Sequence, residues 1–217
     1  ACYALKCTLA PQIPNNHASL SPFKVSAPVN CILNAVHPAP VAVRHVLGQF
    51  LPDVVLGALH KMLPDTVPAE GSSALWNVQL GAYPIEGAEP AEGEVLRSSQ
   101  ILMFNSGGTG ARPTLDGLSA TAFPSGVHTM STEVTEHVGP ITIWRKELRE
   151  GSGGAGRQRG GLGQVIEISA NPGHRIYINA MFDRCDNPAR GRDGGQAGAA
   201  GAVSLDDGGV MQSKGKQ

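Results

Sequence analysis

A glycine-rich stretch, FNSGGTGARPTLDGLSATAFPSGV at residues 104–127, contains one cation and one carboxylate, Arg112 and Asp116. Its glycines lie on both sides of Thr109. Successive backbone N–H groups in a loop of this kind can form an anion-binding nest. Gly108, Thr109 and Gly110 are therefore candidate substrate-binding residues. A structural alternative stays open, because glycines also supply tight turns, an aspartate can cap a turn and an arginine can form a structural ion pair.

A second charged pair, Asp183 and Arg184, lies in MFDRCDNPARGRDGG near glycine and proline turns. Such turns let polar groups project from a rigid scaffold. We expect these two residues to share a cleft with Arg112 and Asp116 at the edge of a β-rich core, where the opposite charges would pair. The four residues are the candidate catalytic residues.

Other motifs argue against nucleotide binding and give no metal site. Gly151, Gly153 and Gly156 satisfy G-x-G-x-x-G, but no helix opens directly after a strand there, and a Walker-type phosphate loop is missing. The seven histidines form no H-E-x-x-H pattern. We therefore assign no metal ligand. His45, next to Arg44 in a predicted helix, is added as a candidate substrate-binding residue that titrates near neutral pH.

The elements that must position these residues follow from hydrophobic periodicity. Residues 40–63 have helical spacing, and Pro52 predicts two short helices or one kinked helix. Residues 75–83 alternate as in a half-buried strand, and residues 94–104 and 141–148 also have strand character. The stretches 164–169 and 175–182 flank Pro172 and Gly173, which predicts a β-hairpin. The fold class expected is α+β, rich in β-structure, with mixed or antiparallel sheets, glycine-rich turns and one or two short helices near residues 40–63.

Composition limits the partners and the location. The 217 residues carry a formal net charge of −1, which gives no basic surface for nucleic acid. Four cysteines without a CxxC pair indicate reduced thiols, and no signal peptide or membrane-spanning run is visible. We expect a cytoplasmic protein of one domain, residues 1–217. A sub-boundary is possible near residues 149–160, which form either a flexible linker or an ordered loop.

Four blocks in order carry a family resemblance: CILNAVHPAPVAVRHVLGQFLPDVVLGAL, FNSGGTGARPTLDGLSATAFPSGV, ELREGSGGAGRQRGGLGQ and MFDRCDNPARGRDGG. Together they resemble the hydantoinase B/oxoprolinase family. The resemblance implies the B-type subunit of an ATP-dependent cyclic-amide hydrolase, in which an A-type partner binds ATP and Mg and phosphorylates the substrate. The B-type part then completes ring opening, so Arg112 and Asp116 would orient an anion and a water.

Family members are longer, so the resemblance implies an internal or C-terminal-half fragment. The strand-like run before SKGKQ and the uncapped start at Ala1 fit that expectation. A divalent metal would belong to the N-terminal part of the subunit, beyond this sequence. We expect the isolated chain to be inactive and to assemble with an A-type subunit or with the remainder of its own subunit. Two alternatives stay open: an interaction scaffold, or the B-type subunit of an acetone-type carboxylase.

Overall fold

The computed structural model describes residues 1–42, 44–90, 92–93 and 95–205. The strand-like run before SKGKQ lies outside these residues. The chain divides into two compact units, Ala1–Pro68 and the part from Ala69 onward. Five strands in two antiparallel sheets, together with a few helices, confirm the expected α+β fold.

The first unit contains three helices: α1 (Cys2–Leu9), α2 (His17–Leu20) and α3 (His45–His60). Asn16 caps α2, because its side chain accepts a hydrogen bond from the Ser19 N–H while the Ser19 hydroxyl accepts one from the Asn16 N–H. Lys6 on α1 is buried, and its ammonium group donates to the Ile13 carbonyl. Among the described helices, none has the length and hydropathy that a transmembrane span requires.

Pro52 lies inside α3 and does not end it. The spacing of apolar residues correctly predicted a helix within 40–63, and of the two alternatives the single continuous helix is correct. Proline removes one intrahelical donor, so the carbonyl four residues earlier, that of Gly48, loses its usual partner. Gly48 is exposed, so water can satisfy that carbonyl. Pro52 itself is buried, together with Leu56.

The second unit is organised around a three-stranded antiparallel sheet with β1 (Leu75–Pro84) at its centre. One neighbour is β2 (Ser99–Ser106), with Leu80 opposite Ile101. The other is the last strand, β5 (His174–Met181), which places Leu80 opposite Ile178. Because side chains alternate along a strand, Leu80, Ala82 and their partners form one apolar face.

A second sheet pairs β3 (Ile141–Leu148) with β4 (Gln164–Ala170). Its residues Ile141 and Ile143 join the apolar face of the first sheet in one buried core, with Leu80 and Ile101. A short helix, α4 (Thr132–Val138), precedes β3 and is capped by the Ser131 side chain. Hydrophobic periodicity predicted neither α4 nor α1.

The predicted hairpin between β4 and β5 is wrong. The turn itself forms, because Gly173 adopts a left-handed φ of 76° and the His174 N–H donates to the Asn171 carbonyl at 3.1 Å. The strands on either side then separate: β4 pairs with β3, and β5 pairs with β1. The turn therefore links two sheets rather than two neighbouring strands.

Most of the remaining second unit consists of irregular segments that bond to one another through their backbones. We call them the glycine loops and define them as residues 69–73, 107–121, 152–163 and 184–201. The Ala69 N–H donates to the Ala111 carbonyl at 2.7 Å, and the Gly161 N–H donates to the Thr109 carbonyl at 2.9 Å. The segment expected as a linker or an ordered loop, near 149–160, takes part in this bonding.

The close approach of these backbones explains the glycines. A Cβ on Gly108 would overlap the carbonyl of Gly161, and a Cβ on Gly110 would overlap the carbonyl of Ala69. Backbone atoms cannot rotate away as a flexible side chain can. Glycine is thus required here because it lacks a side chain, whatever its φ angle.

We predict that Gly108→Ala lowers the free energy of unfolding by about 3 kcal/mol, because the new methyl group forces two backbones apart. Gly48→Ala is the matched control: it lies in α3, no described atom approaches its Cβ position, and the change should stabilise the chain by about 0.5–1 kcal/mol. Urea denaturation measures both changes. Equal effects at the two positions would contradict the packing role of Gly108.

Candidate functional site

Arg112 and Asp116 lie in one loop, but their charged groups do not face each other. The Arg112 guanidinium donates from Nε and from one terminal nitrogen to the backbone carbonyl of Asp116, at 2.9 and 2.7 Å. The Asp116 carboxylate accepts from the Arg159 N–H at 2.7 Å and lies 3.9 Å from the Arg159 guanidinium. Arg112 closes its own loop, and Asp116 fixes a second glycine loop beside it.

The candidate substrate-binding residues Gly108, Thr109 and Gly110 are bonded within the protein. The Thr109 N–H donates to the Leu118 carbonyl at 2.9 Å, and the Thr109 hydroxyl accepts from the Leu118 N–H at 2.8 Å. The Gly108 carbonyl accepts from the Ser72 N–H. The Thr109 amide is therefore not available to an anion. These contacts favour the structural alternative for the glycines, and a role in substrate binding stays a prediction.

Arg184 acts as a clamp between two glycine loops. Its Nε donates to the Ser72 carbonyl at 2.7 Å, and its terminal nitrogens contact the carbonyls of Gly71 and Asn187 at 3.1 and 3.4 Å. The same guanidinium lies 3.5 Å from the carboxylate of Glu70. Arg184 also has a φ of 64°, an unusual backbone conformation for a residue with a side chain. The structure holds the residue in this conformation through these contacts.

Glu70 is a central charged residue that the sequence did not single out. Its carboxylate accepts from the Arg190 N–H at 2.7 Å and from the Arg190 guanidinium at 3.3 and 3.2 Å. The Glu70 side chain is 12% exposed. Burial raises its pKa, but hydrogen bonds from Arg190 and the charges of Arg184 and Arg190 outweigh that effect, so the pKa lies below its ordinary value of 4.5.

Asp183 has the opposite electrostatic character. Burial raises the pKa of its carboxyl, and the neighbouring Arg184 charge only partly offsets this. Its Oδ2 atom is buried and has no hydrogen-bond partner among the described residues. The Asp183 backbone is fixed, since its carbonyl accepts from the Trp76 indole N–H at 2.9 Å. Trp76 in turn packs on Phe182, with ring centroids 4.5 Å apart.

The segment 69–72 connects the two charged stretches. One part of it bonds to the loop of Arg112 through Ala69 and Ser72, and Arg184 binds the carbonyls of Gly71 and Ser72. This shared segment supports a common site, and the convergence of Arg112 and Asp183 on one cleft stays a prediction. His45 is the first residue of α3 and belongs to the other compact unit. In the described ranges, no group of three or more His, Cys, Asp or Glu residues could hold a metal ion.

No pattern in the sequence distinguishes Glu70 from other acidic residues. It lies in a stretch, AEGSS, that has neither helical nor strand periodicity. Its partners are about 120 residues away, and only the packing of the glycine loops brings them together. A glutamate next to a glycine is too common to indicate a buried ion pair.

Comparison with known proteins identifies the family. The model of the hydantoinase B/oxoprolinase family matches residues 1–217, so the chain belongs to that family. The family resemblance found in the four sequence blocks is thereby confirmed.

Three relatives show how much of a longer protein this chain represents. An uncharacterised protein of Methanocaldococcus jannaschii is 32% identical over 203 residues, which are 92% of this chain and 33% of the relative. A Pseudomonas protein named as the B-type subunit of a D-/L-hydantoinase is 27% identical, over 94% of this chain and 32% of the relative. The 5-oxoprolinase 1 of Arabidopsis thaliana is 29% identical, over 94% of this chain and 14% of the relative. The chain thus spans a third or less of these proteins.

We predict that Glu70→Gln destabilises the protein at pH 7 by about 2 kcal/mol, the typical contribution of a hydrogen bond to a charged group. A carboxylate with a lowered pKa stabilises the fold above its unfolded value of 4.5, and this contribution is lost as pH falls through the lower folded value. The stability difference between wild type and variant should therefore shrink below pH 4.5. Thermal melting between about pH 7 and pH 3 measures it.

Glu147→Gln is the control for this experiment. Glu147 pairs with Arg145, and both side chains are about half exposed. Exposed ion pairs contribute about 0–1 kcal/mol. A Glu147→Gln variant that lost as much stability as Glu70→Gln would contradict the special role of the Glu70 ion pairs.

Proposed function

We propose that this chain is part of the B-type subunit of an ATP-dependent cyclic-amide hydrolase of the hydantoinase or 5-oxoprolinase type. The observation that carries the proposal is the family match along the whole sequence. Two of the relatives are named for ring opening of a hydantoin or of 5-oxoproline, both of which are cyclic amides. The substrate of this chain would belong to the same chemical class.

The proposal gives ATP and Mg to an A-type partner subunit. The sequence contains no phosphate-binding loop of its own, and the glycine-rich stretch that resembles one packs against other backbones. A divalent metal, if the enzyme uses one, would be held by another part of the B-type subunit, because the described residues offer no cluster of three ligands. The enzyme would be a cytoplasmic hetero-oligomer, without nucleic-acid or membrane partners.

Arg112, Asp116, Asp183 and Arg184 remain the proposed catalytic residues. The geometry supports different roles within this group. Arg112 and Arg184 bind backbone carbonyls and would position the loops, whereas Asp183 keeps a carboxyl oxygen without a hydrogen bond to any described residue. Gly108, Thr109, Gly110 and His45 remain the proposed substrate-binding residues.

An interaction scaffold is the second candidate function. It is favoured by apolar side chains in the first unit that are largely exposed: Val25 at 77%, Val29 at 76% and Ile32 at 74%. Exposed apolar surface of this kind marks protein–protein contacts. In this alternative the segment would dock a partner subunit, and all chemistry would take place elsewhere.

We predict that the isolated chain does not bind Mg-ATP with micromolar affinity and does not open a cyclic amide. The complex of full-length B-type and A-type subunits should couple ATP hydrolysis to ring opening of a hydantoin, 5-oxoproline or another lactam. Calorimetry with Mg-ATP and an ATPase assay against that panel measure the two. Micromolar ATP binding by the 217 residues would disprove the proposed division between the subunits.

We predict that Arg112→Ala lowers turnover of the assembled enzyme at least about tenfold while the free energy of unfolding changes by less than about 1 kcal/mol, since a partly exposed arginine contributes little to folding. Arg157→Ala is the matched control, because Arg157 is an exposed arginine of a neighbouring glycine loop. Turnover and thermal melting are measured for both. Full activity of Arg112→Ala would remove Arg112 from the site.

A further inference from the structure

We propose that the Asp183 carboxyl is the proton donor to the nitrogen that leaves when the cyclic amide ring opens. This inference rests on the proposed function and assigns a step of that reaction to one side chain. It is carried by the position of the carboxyl, by the way its backbone is fixed and by the charges around it.

The first observation is the unsatisfied oxygen. Asp183 Oδ2 is buried and has no hydrogen-bond partner in the part of the chain that the structure describes, although the residue as a whole is only partly buried. A buried carboxylate without a partner is destabilising, and proteins keep such groups mainly at functional sites. A neutral carboxyl, which carries its own proton, is better suited to this position than a carboxylate.

The second observation is the rigid backbone on both sides of Asp183. Its own carbonyl is bound by the Trp76 indole N–H at 2.9 Å, and Trp76 packs against Phe182. The next residue, Arg184, is tied to the Ser72 carbonyl at 2.7 Å and to Glu70. A catalytic side chain needs this kind of support, because small displacements greatly lower the rate.

The third observation concerns charge. The cation next to Asp183 in the sequence, Arg184, already pairs with Glu70, and both of those side chains are nearly buried at 14% and 12% exposure. The Cys185 thiol contacts the Asp183 backbone carbonyl at 3.9 Å. Burial outweighs the positive charge of Arg184 and raises the pKa of Asp183, which keeps a larger share of the carboxyl protonated at a given pH.

Protons and electrons balance over the whole step. Water adds to the ring carbonyl carbon and releases one proton to solvent, while ATP hydrolysis on the partner subunit provides the driving force. Collapse of this adduct re-forms the C=O bond and breaks the C–N bond. The nitrogen keeps the electron pair of the broken bond and takes the Asp183 proton. The new carboxylic acid then loses its proton to solvent, and the Asp183 carboxylate regains one from solvent.

We predict that Asp183→Asn lowers the ring-opening rate of the assembled enzyme by at least about 100-fold, the usual contribution of a general acid. Its melting temperature at about pH 7 should stay equal or rise, because a carboxyl with a raised pKa destabilises the fold above its unfolded value of 3.8. Asp186→Asn, an exposed aspartate three residues away, is the matched control and should keep full activity.

A second readout separates proton donation from a structural role. A leaving nitrogen of low basicity needs little protonation, so lactams with an electron-withdrawing group on nitrogen should lose much less rate in Asp183→Asn than unactivated lactams. Wild-type activity should also decline as pH rises through the Asp183 pKa, and this decline should be missing in the variant.

The outcomes separate the two proposals. If the wild-type complex opens cyclic amides and Asp183→Asn keeps its rate, the proton-donor role is wrong and the proposed function stands. A variant whose loss of activity follows a loss of stability, or is equal for all leaving groups, also overturns the proton-donor role. A wild-type complex that opens no cyclic amide overturns the proposed function, and the role of Asp183 with it.

Discussion

Direct contact between backbones is the constraint on which the second unit depends. Several glycine loops approach so closely that a single Cβ would overlap a neighbouring carbonyl, as at Gly108 against Gly161. Hydrogen bonds between the loops, such as that from the Ala120 N–H to the Leu162 carbonyl at 2.8 Å, hold them together outside the regular sheets. The apolar core between the two sheets is a separate structure, and the loops are attached to its edge through β1, β2 and β5.

This packing determines what the charged residues do. Irregular loops leave many carbonyls without a partner in a helix or sheet, and such groups must be satisfied when they are buried. Arg184 and Arg112 meet this need with planar guanidinium groups that present several donors in a fixed geometry. Glu70 then balances the charge of Arg184. Asp183 differs from these residues because its Oδ2 atom forms no hydrogen bond to any described residue.

The sequence predicted the elements whose signals are local. Residues 141–148 were predicted as a strand and match β3, and a helix within 40–63 was found despite Pro52. The pairing of β4 and β5 was predicted wrongly, because a turn sequence fixes the local conformation and long-range contacts choose the strand partner. For the site, the sequence correctly identified the loops of Arg112 and Arg184 as unusual. It could not identify Glu70, whose importance depends on residues about 120 positions away.

The glycine loops also affect how the protein responds to heat. Their contacts bury peptide groups, whereas an ordinary core buries aliphatic side chains. Exposure of apolar surface raises the heat capacity on unfolding and exposure of polar surface lowers it. Local opening of the loops therefore carries a small heat-capacity change, whereas separation of the two sheets carries a large one. Calorimetry distinguishes these two transitions by the temperature dependence of their enthalpies, even where they overlap in temperature.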